Sequence, residues 1–172
     1  MMVTARTILA AILSFAAGAA EAQSYRWESA GAPPANAVVG AGGKKRPVCT
    51  FDAPHIFLGS FRDGQCHSQD GQLHSGTKNL RFLVAVSGPA GGKWVKAVID
   101  GNMPVMPRNT ALDVVPDRYT RGMQRYICSI GGIPGIGNYR GEPSQPKAYG
   151  SGCPAAEQPE GSQDQWVLVR GD

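Results

Sequence analysis

The spacing of glycine and proline limits this chain more than any other sequence feature. Beyond the first 22 residues, the longest segment without either residue runs from Thr77 to Ser87, which is eleven residues. Glycine and proline are costly inside helices and common in turns, so 23 glycines and 13 prolines predict short elements joined by turns. Apolar residues make up 42% of the chain, which is enough for a folded core. We therefore expect a folded chain with little helix.

The segments between these turns have the composition of β-strands. Two segments around cysteines, Arg46–Phe51 and Arg125–Ile130, are rich in β-branched and aromatic residues. Short apolar runs of strand length occur at Arg81–Val86 and Trp166–Val169, and Trp94–Ile99 partly alternates between apolar and polar residues. The sequence therefore predicts an all-β fold.

The first 22 residues have the features of a secretory signal peptide. Arg6 provides a positive charge, and Thr7–Ala20 is an uncharged, mostly apolar run of fourteen residues. Ala20-Glu21-Ala22 is a small-x-small cleavage sequence. The apolar run is shorter than the roughly 17–25 residues that span a bilayer, which argues against a membrane anchor. We expect cleavage after Ala22 and export of residues 23–172 as a secreted or periplasmic protein without a membrane span.

The mature chain contains one sequence unit twice, at 27–88 and 94–171. Each unit has a tryptophan, then glycine and proline, two cysteines and a closing apolar strand, in that order. We therefore expect a single domain, 23–172, with two related halves, which either form separate lobes or interleave their strands. A half of about 60 residues buries little core by itself, which favours interleaving. The landmarks are Trp27, Gly31, Pro34, Cys49, Cys66 and Leu83–Gly88 in unit one and Trp94, Gly101, Pro104, Cys128, Cys153 and Trp166–Gly171 in unit two.

Four cysteines stand at matched places, two in each unit. An even number of cysteines in an exported chain favours disulfides, and four cysteines allow three pairings. The duplication selects the pairs Cys49–Cys66 and Cys128–Cys153. The alternative is a structural zinc site, but zinc ligands commonly stand roughly two to four residues apart. These cysteines are 17 and 25 residues apart, so we expect two disulfides that each contribute about 3 kcal/mol in the chain-entropy model.

The order of these motifs resembles the DM9 repeat (DUF3421) family. That repeat has Trp, Gly-x-x-Pro, an Ala-Val-x-Gly-Gly segment, an apolar strand with Cys, a Pro-Gly-Lys segment and a closing strand. The resemblance implies a tandem β-fold with two intertwined repeats and a lectin-like role, and the best-understood members bind mannose. The matching segments are Trp27, Gly31–Pro34, Ala37–Gly40, Val48–Cys49, Leu58–Gly59 and Gly64–Cys66 in unit one, and Trp94, Gly101–Pro104, Tyr126–Cys128, Ile136–Gly137 and Gly152–Cys153 in unit two.

Unit one departs from this family at both charged positions of the sugar site. In mannose-binding members an acidic residue follows the Ala-Val-x-Gly-Gly segment, and the lysine of Pro-Gly-Lys joins it at the sugar. Gly43 stands at the acidic position and Ser60 at the lysine position. In unit two Asn138 stands at the lysine position, and the acidic position is either Asp113 or Asp117. The resemblance therefore implies the fold more directly than the sugar chemistry.

We expect a ligand at two matched segments that are interpreted as loops, Leu58–Ser60 and Ile136–Asn138. Their glycines, Gly59 and Gly137, would let the backbone approach a bound group, and the next residue would offer a neutral hydrogen-bonding side chain. The alternative interpretation is that both glycines only make turns. The predicted ligand-binding residues are Ser60, Asn138, Lys44 and Asp117.

No sequence pattern typical of an enzyme occurs. The three histidines, His55, His67 and His74, all lie in unit one, and no Gly-x-Ser-x-Gly motif is present. We expect no catalytic residue, no cofactor and no metal site. The net charge of +4 is scattered, with Lys44–Arg46 as the one basic triplet, which argues against nucleic acid as a partner.

The sequence favours a secreted, non-catalytic binding module whose partner is a glycan or a cell-surface carbohydrate. The alternative is a structural or protein-interaction module of the cell envelope or extracellular space that has no sugar site. Loss of the charged residues of the family's sugar site favours that alternative, whereas the matched segments with Ser60 and Asn138 favour a carbohydrate ligand. The sequence leaves the ligand identity and the oligomeric state open.

Overall fold

The strands are short, and eight of the thirteen that the structure describes contain no glycine or proline. The computed structural model describes residues 24–52, 56–69, 73–116, 123–141, 147–151, 153 and 164–171. In these ranges every helix or strand assigned is a β-strand, so the predicted all-β fold is confirmed. The predicted signal peptide lies outside the described residues. The strands are β1 (Tyr25–Ser29), β2 (Val48–Asp52), β3 (Ile56–Arg62), β4 (Gln65–Gln69), β5 (Leu73–Gly76), β6 (Arg81–Ala85), β7 (Lys93–Lys96), β8 (Val98–Asp100), β9 (Met103–Val105), β10 (Arg125–Ile130), β11 (Ile133–Arg140), β12 (Tyr149–Gly150) and β13 (Gln165–Val169).

The described strands form two antiparallel sheets, and each sheet takes its strands from one half of the chain. The first sheet has the order β1-β6-β2-β3-β4-β5, and the second has the order β7-β13-β10-β11-β12-β9-β8. The expected interleaving of strands does not occur. Each sheet buries one face in a core that it shares with the other sheet, so no strand has to change sheets to complete the core.

The two sheets follow one scheme over five strands. In each sheet the strand with the tryptophan (β1 or β7) pairs with the closing strand of its half (β6 or β13). The closing strand pairs with the strand of the first cysteine (β2 or β10), and the next two strands of the chain lie beside it (β3 and β4, or β11 and β12). Trp27 lies opposite Leu83, and Trp94 lies opposite Leu168. The strand order is therefore the same in both halves, although the second sheet adds the β8–β9 hairpin at its edge.

Each half also has an asparagine that pairs with the end of its closing strand. The Asn36 side chain donates to the carbonyl of Ala85 (3.2 Å), and the Ala85 N–H donates to the Asn36 carbonyl (3.0 Å). Asn109 and Arg170 form the same two hydrogen bonds at 3.3 and 2.8 Å. These bonds hold the long loop of each half against its own sheet.

A proline begins the turn that contains each asparagine. The carbonyl of Pro34 accepts from the N–H of Ala37 (3.0 Å), and the carbonyl of Pro107 accepts from the N–H of Thr110 (3.2 Å). Pro107 is therefore the structural counterpart of Pro34. The sequence comparison chose Pro104, which is wrong because Pro104 belongs to the β8–β9 hairpin that precedes this turn.

The central core lies between the two sheets, and a smaller apolar cluster lies on the other face of each sheet. The alternation of side chains along β2 explains the division, because Val48 enters the central core while Cys49 and Phe51 enter the outer cluster of the first sheet. Each outer cluster includes the cysteines of its own half. The central core contains Tyr25, Val38, Val48, Leu58, Leu83, Ala111, Val114, Val115, Ile127 and Leu168.

Hydrogen bonds from the first strand tie the two halves together. The buried hydroxyl of Tyr25 donates to the carbonyl of Val169 (2.7 Å) and accepts from the N–H of Lys93 (3.0 Å). The indole Nε1 of Trp27 donates to the carbonyl of Val114 (2.9 Å), which lies in the long loop of the second half. The halves therefore exchange loop and side-chain contacts instead of strands.

Both predicted disulfides, Cys49–Cys66 and Cys128–Cys153, are present, and the Cα atoms of each pair are 5.9 Å apart. Cys49 is on β2 and Cys66 is on β4, so this bond spans the intervening strand β3. Cys128 is on β10, and its partner follows β12. Each disulfide therefore connects non-adjacent segments of one half, which limits the separation of the strands.

Candidate functional site

Ser60 is buried inside the first sheet and is not available to a ligand at the surface. Its side chain has no exposed area, and its hydroxyl has no hydrogen-bond partner among the described residues. It lies within β3, opposite Val48 on one side and His67 on the other. The prediction of a loop at Leu58–Ser60 is wrong, because β3 pairs with a strand on each side.

Asn138 also lies in a strand and not in a loop. It is half-buried in β11 opposite Arg125, and its backbone N–H donates to the hydroxyl of Ser151 (2.8 Å). The backbone of Asn138 is therefore used to pair β11 with the segment at β12. The segment Ile136–Asn138 forms part of the sheet, so the loop prediction is wrong here too.

The strand register changes which residues of the two halves correspond. Gly59 lies directly opposite the cysteine of β2, and Gly135 lies directly opposite the cysteine of β10. Ile136 therefore occupies the position of Ser60. The sequence comparison paired Ser60 with Asn138, which is wrong by two residues because the spacing alone does not fix the register.

The glycines of both segments allow close contacts within the chain. A Cβ atom on Gly59 would lie 1.8 Å from the carbonyl oxygen of His67 in the neighbouring strand. A Cβ atom on Gly137 would lie 2.4 Å from Cε1 of Tyr126, whose hydroxyl donates to the carbonyl of Ser151 (2.6 Å). These contacts explain both glycines without a ligand, and neither glycine makes a turn.

The remaining predicted residues lie elsewhere on the molecule. Lys44 is exposed, and its backbone N–H donates to the carbonyl of Gly131 (2.9 Å) in the turn between β10 and β11. Asp117 lies outside the described residues. Asp113, the other candidate for the acidic position, forms an ion pair with Arg170 in which Nε and Oδ1 are 3.2 Å apart.

A different set of polar and apolar side chains meets at the free end of the second sheet. In the register, Asp100 lies opposite Met103, Val98 lies opposite Val105, and Val105 lies opposite Tyr149. Directly opposed residues of paired strands lie on the same side of a sheet, so these side chains share one side. We call this surface the shelf, and we define it by the residues Val98, Asp100, Met103, Lys147 and Tyr149.

The shelf continues the side of the second sheet that faces the central core. Tyr149 lies opposite Arg140, which is four residues beyond Ile136 on β11, and Ile136 packs against that core. The shelf itself is open, because 69% of Val98 and 42% of Met103 is exposed. The second sheet therefore extends beyond its packed region and presents this side to solvent.

An ion pair and a tyrosine hydroxyl meet at one oxygen atom of the shelf. The ammonium of Lys147 lies 3.1 Å from Oδ2 of Asp100, and the hydroxyl of Tyr149 donates to the same oxygen at 3.2 Å. The hydrogen bond and charge of Lys147, followed by the hydrogen bond of Tyr149, lower the pKa of Asp100 below its usual value. Asp100 raises the pKa of Lys147 in return. Both groups are therefore charged throughout the neutral pH range.

The shelf thus combines hydrogen-bond donors and acceptors with an apolar surface. No hydrogen bond from the described residues reaches Oδ1 of Asp100, so this oxygen can accept from another molecule. Lys147 keeps further N–H donors, and the Tyr149 hydroxyl keeps acceptor capacity. The side chains of Val98 and Met103 lie beside these groups. Chemically, such a surface can bind a molecule that has both hydroxyl groups and exposed C–H groups.

Sequence reasoning missed the shelf for a specific reason. The dipeptide Gly101-Asn102 after the strand-like segment Trp94–Ile99 is a turn signal that could have predicted the β8–β9 hairpin. However, Lys147 and Tyr149 stand 47 and 49 residues after Asp100. Only the pairing of β9 with β12 brings them together, and no local pattern specifies that pairing.

Similarity to known proteins does not assign a function to this chain. No protein-family model matches the chain, and no curated protein or solved structure is significantly similar to it. The described part of the chain holds no group of three or more His, Cys, Asp or Glu side chains that could bind a metal ion. None of the described segments forms a helix long and apolar enough to cross a membrane.

Proposed function

We propose that this protein is an exported, non-catalytic carbohydrate-binding module, related to the DM9 repeat family and able to recognise mannose-type glycans. The matching strand order of the two sheets carries the proposal. A duplicated domain is expected to repeat its strand order, and five strands of each sheet do so. The strand that contains the tryptophan lies at the same place in both sheets, although the two halves are not intertwined as in the DM9 repeat.

The disulfides and the shelf support the same proposal. Each half carries one disulfide that begins on the strand beside its closing strand, which suits a small domain that works in an oxidising compartment after export. The charged pair of the family's sugar site is missing from the matching positions, but Asp100 and Lys147 form an exposed pair on the shelf. A carboxylate and an ammonium group are effective ligands for sugar hydroxyls because charge-assisted hydrogen bonds are the stronger ones.

A glycan array tests this function directly. The exported protein, with its cleavage after Ala22 checked by intact mass, is applied to the array at low and at high salt. We expect binding to neutral glycans, including mannose-containing ones, that changes little with salt because a neutral ligand releases few counterions. Binding to no glycan under either condition would contradict the proposed function.

The alternative function is a structural or protein-interaction module without a sugar site. The apolar edge of the second sheet favours it, since 53% of Ile99 and 69% of Val98 on the edge strand β8 is exposed. An exposed apolar edge strand is a common place for protein contacts. The array separates the two functions, because this module would bind no glycan.

A further inference from the structure

We propose that the shelf is the glycan-binding site and that it takes a neutral sugar through two adjacent hydroxyl groups. The inference rests on the proposed function and adds to it the position of the site and the class of ligand. It replaces the site expected from sequence, because Ser60 is buried and Asn138 belongs to the paired strand β11.

The charges of the shelf match a neutral ligand. Asp100 and Lys147 compensate each other at 3.1 Å, so the pair has no net charge to attract an acidic or a basic group. The pair still presents an acceptor and a donor side by side, since Asp100 Oδ1 is available and Lys147 has further N–H groups. Two adjacent hydroxyl groups of a sugar, one donating to the carboxylate and one accepting from the ammonium, satisfy both.

The apolar part of the shelf matches the other side of a sugar ring. A pyranose carries C–H groups that pack on apolar or aromatic side chains while its hydroxyls form hydrogen bonds. Val98 and Met103 are exposed beside the ion pair, and the Tyr149 hydroxyl is fixed on Asp100 at 3.2 Å. This bond restrains the tyrosine ring before a ligand arrives, which reduces the entropy lost on binding.

A second exposed ion pair provides a matched control. Asp113 pairs with Arg170 at 3.2 Å, and 47% of its side chain is exposed, compared with 49% for Asp100. Asp113 is also one of the two residues at the acidic position of the family's sugar site. Replacement of Asp113 therefore removes an equivalent charge and at the same time tests the site that the resemblance implies.

The experiment measures binding of the disulfide-bonded mature chain to immobilised mannan, a neutral polymer of mannose, and to alginate, a polymer of uronic acids. The variants are Asp100→Asn, Tyr149→Ala and the control Asp113→Asn, and thermal unfolding checks that each variant is folded. We expect the wild type to bind mannan and not alginate. We expect Asp100→Asn and Tyr149→Ala each to weaken mannan binding by about tenfold or more. Asp100→Asn removes a charge-assisted hydrogen bond, and Tyr149→Ala removes a packing surface. Asp113→Asn should bind as the wild type does.

The possible outcomes distinguish the site from the function. If folded Asp100→Asn and Tyr149→Ala bind mannan as tightly as the wild type, the site is elsewhere while the proposed function stands. If Asp113→Asn alone loses binding, the family's acidic position carries the site and the shelf does not. Binding to alginate in place of mannan overturns the neutral-ligand class. Binding to neither polymer, together with an empty glycan array, overturns the function and the site with it.

Discussion

Buried hydroxyl groups in the first sheet differ in whether they have a hydrogen-bond partner. Ser68 is 2% exposed and donates to the carbonyl of Leu58 at 2.6 Å. Ser60 and Thr50 have no exposed area, and neither hydroxyl finds a partner among the described residues. A buried hydroxyl without a partner has lost its hydrogen bonds to water and gained none, so it costs stability.

Replacement of Ser60 and of Ser68 by alanine distinguishes a buried hydroxyl without a hydrogen-bond partner from one that has a partner. Ser60→Ala should raise the free energy of unfolding by about 1 kcal/mol, because it removes an unsatisfied buried hydroxyl and keeps the Cβ atom. Ser68→Ala should lower it by about 1–3 kcal/mol, because the carbonyl of Leu58 loses a partner. Urea denaturation of both variants measures these changes.

Glycan binding provides a second test of Ser60. Since Ser60 has no surface to offer a ligand, Ser60→Ala should bind mannan as the wild type does. A marked destabilisation of Ser60→Ala, or a loss of mannan binding in the folded variant, would show that its hydroxyl has a role that the buried position does not explain.

At the level of strands, glycines decide how closely neighbouring backbones approach. Gly59 lies in β3 at the place where the Cys49–Cys66 disulfide draws β2 and β4 together. A Cβ atom there would lie 1.8 Å from the carbonyl oxygen of His67 and 2.8 Å from Cα of Ser68, both in the backbone of β4. Backbone atoms cannot move aside as the end of a flexible side chain can.

Gly59→Ala should therefore lower the free energy of unfolding by about 3 kcal/mol, because β4 would have to shift from its position in the sheet. The control is Gly31→Ala, since a Cβ atom on Gly31 meets nothing within 4 Å. That change should leave stability within about 0.5 kcal/mol of the wild type or raise it slightly. Thermal unfolding monitored by circular dichroism compares the two, and equal unfolding temperatures would contradict the close contact.

At the level of the whole molecule, the two halves share one core and a small set of hydrogen bonds. The hydroxyl of Tyr25 contacts the end of β13 and the start of β7, which both belong to the second sheet. Burial raises the pKa of this hydroxyl further above neutral pH, where a tyrosine hydroxyl is protonated and able to donate. Because the central core contains residues from both sheets, we expect neither half to unfold alone.

Tyr25→Phe should lower the free energy of unfolding by about 1–3 kcal/mol, because the carbonyl of Val169 and the N–H of Lys93 lose their shared partner. The unfolding transition should remain single, since the shared core still joins the sheets. Tyr139→Phe is the control, because it removes a tyrosine hydroxyl that forms no hydrogen bond with a described residue. Two separate transitions in the wild type, detected by urea denaturation, would contradict the shared core.

Local sequence patterns predicted the element type and the covalent links. The dense spacing of glycine and proline excluded long helices, and the composition around Cys49 and Cys128 predicted the strands that contain them. The matched order of the cysteines predicted both disulfides, and each bond joins two cysteines of the same half of the chain. These features depend on residues that are close in sequence or repeated in order.

Tertiary structure decided the register and the position of the candidate site. The side of the sheet to which a residue belongs changes with a shift of one residue, and spacing between distant motifs does not fix such a shift. Ser60 is buried because the segment interpreted as a loop is a strand that pairs on both sides, and Asp100 joins Lys147 and Tyr149 on the shelf only through strand pairing. The sequence by itself determined an all-β chain with two disulfides, and the pairing of β8, β9 and β12 determined which of its polar side chains meet at the surface.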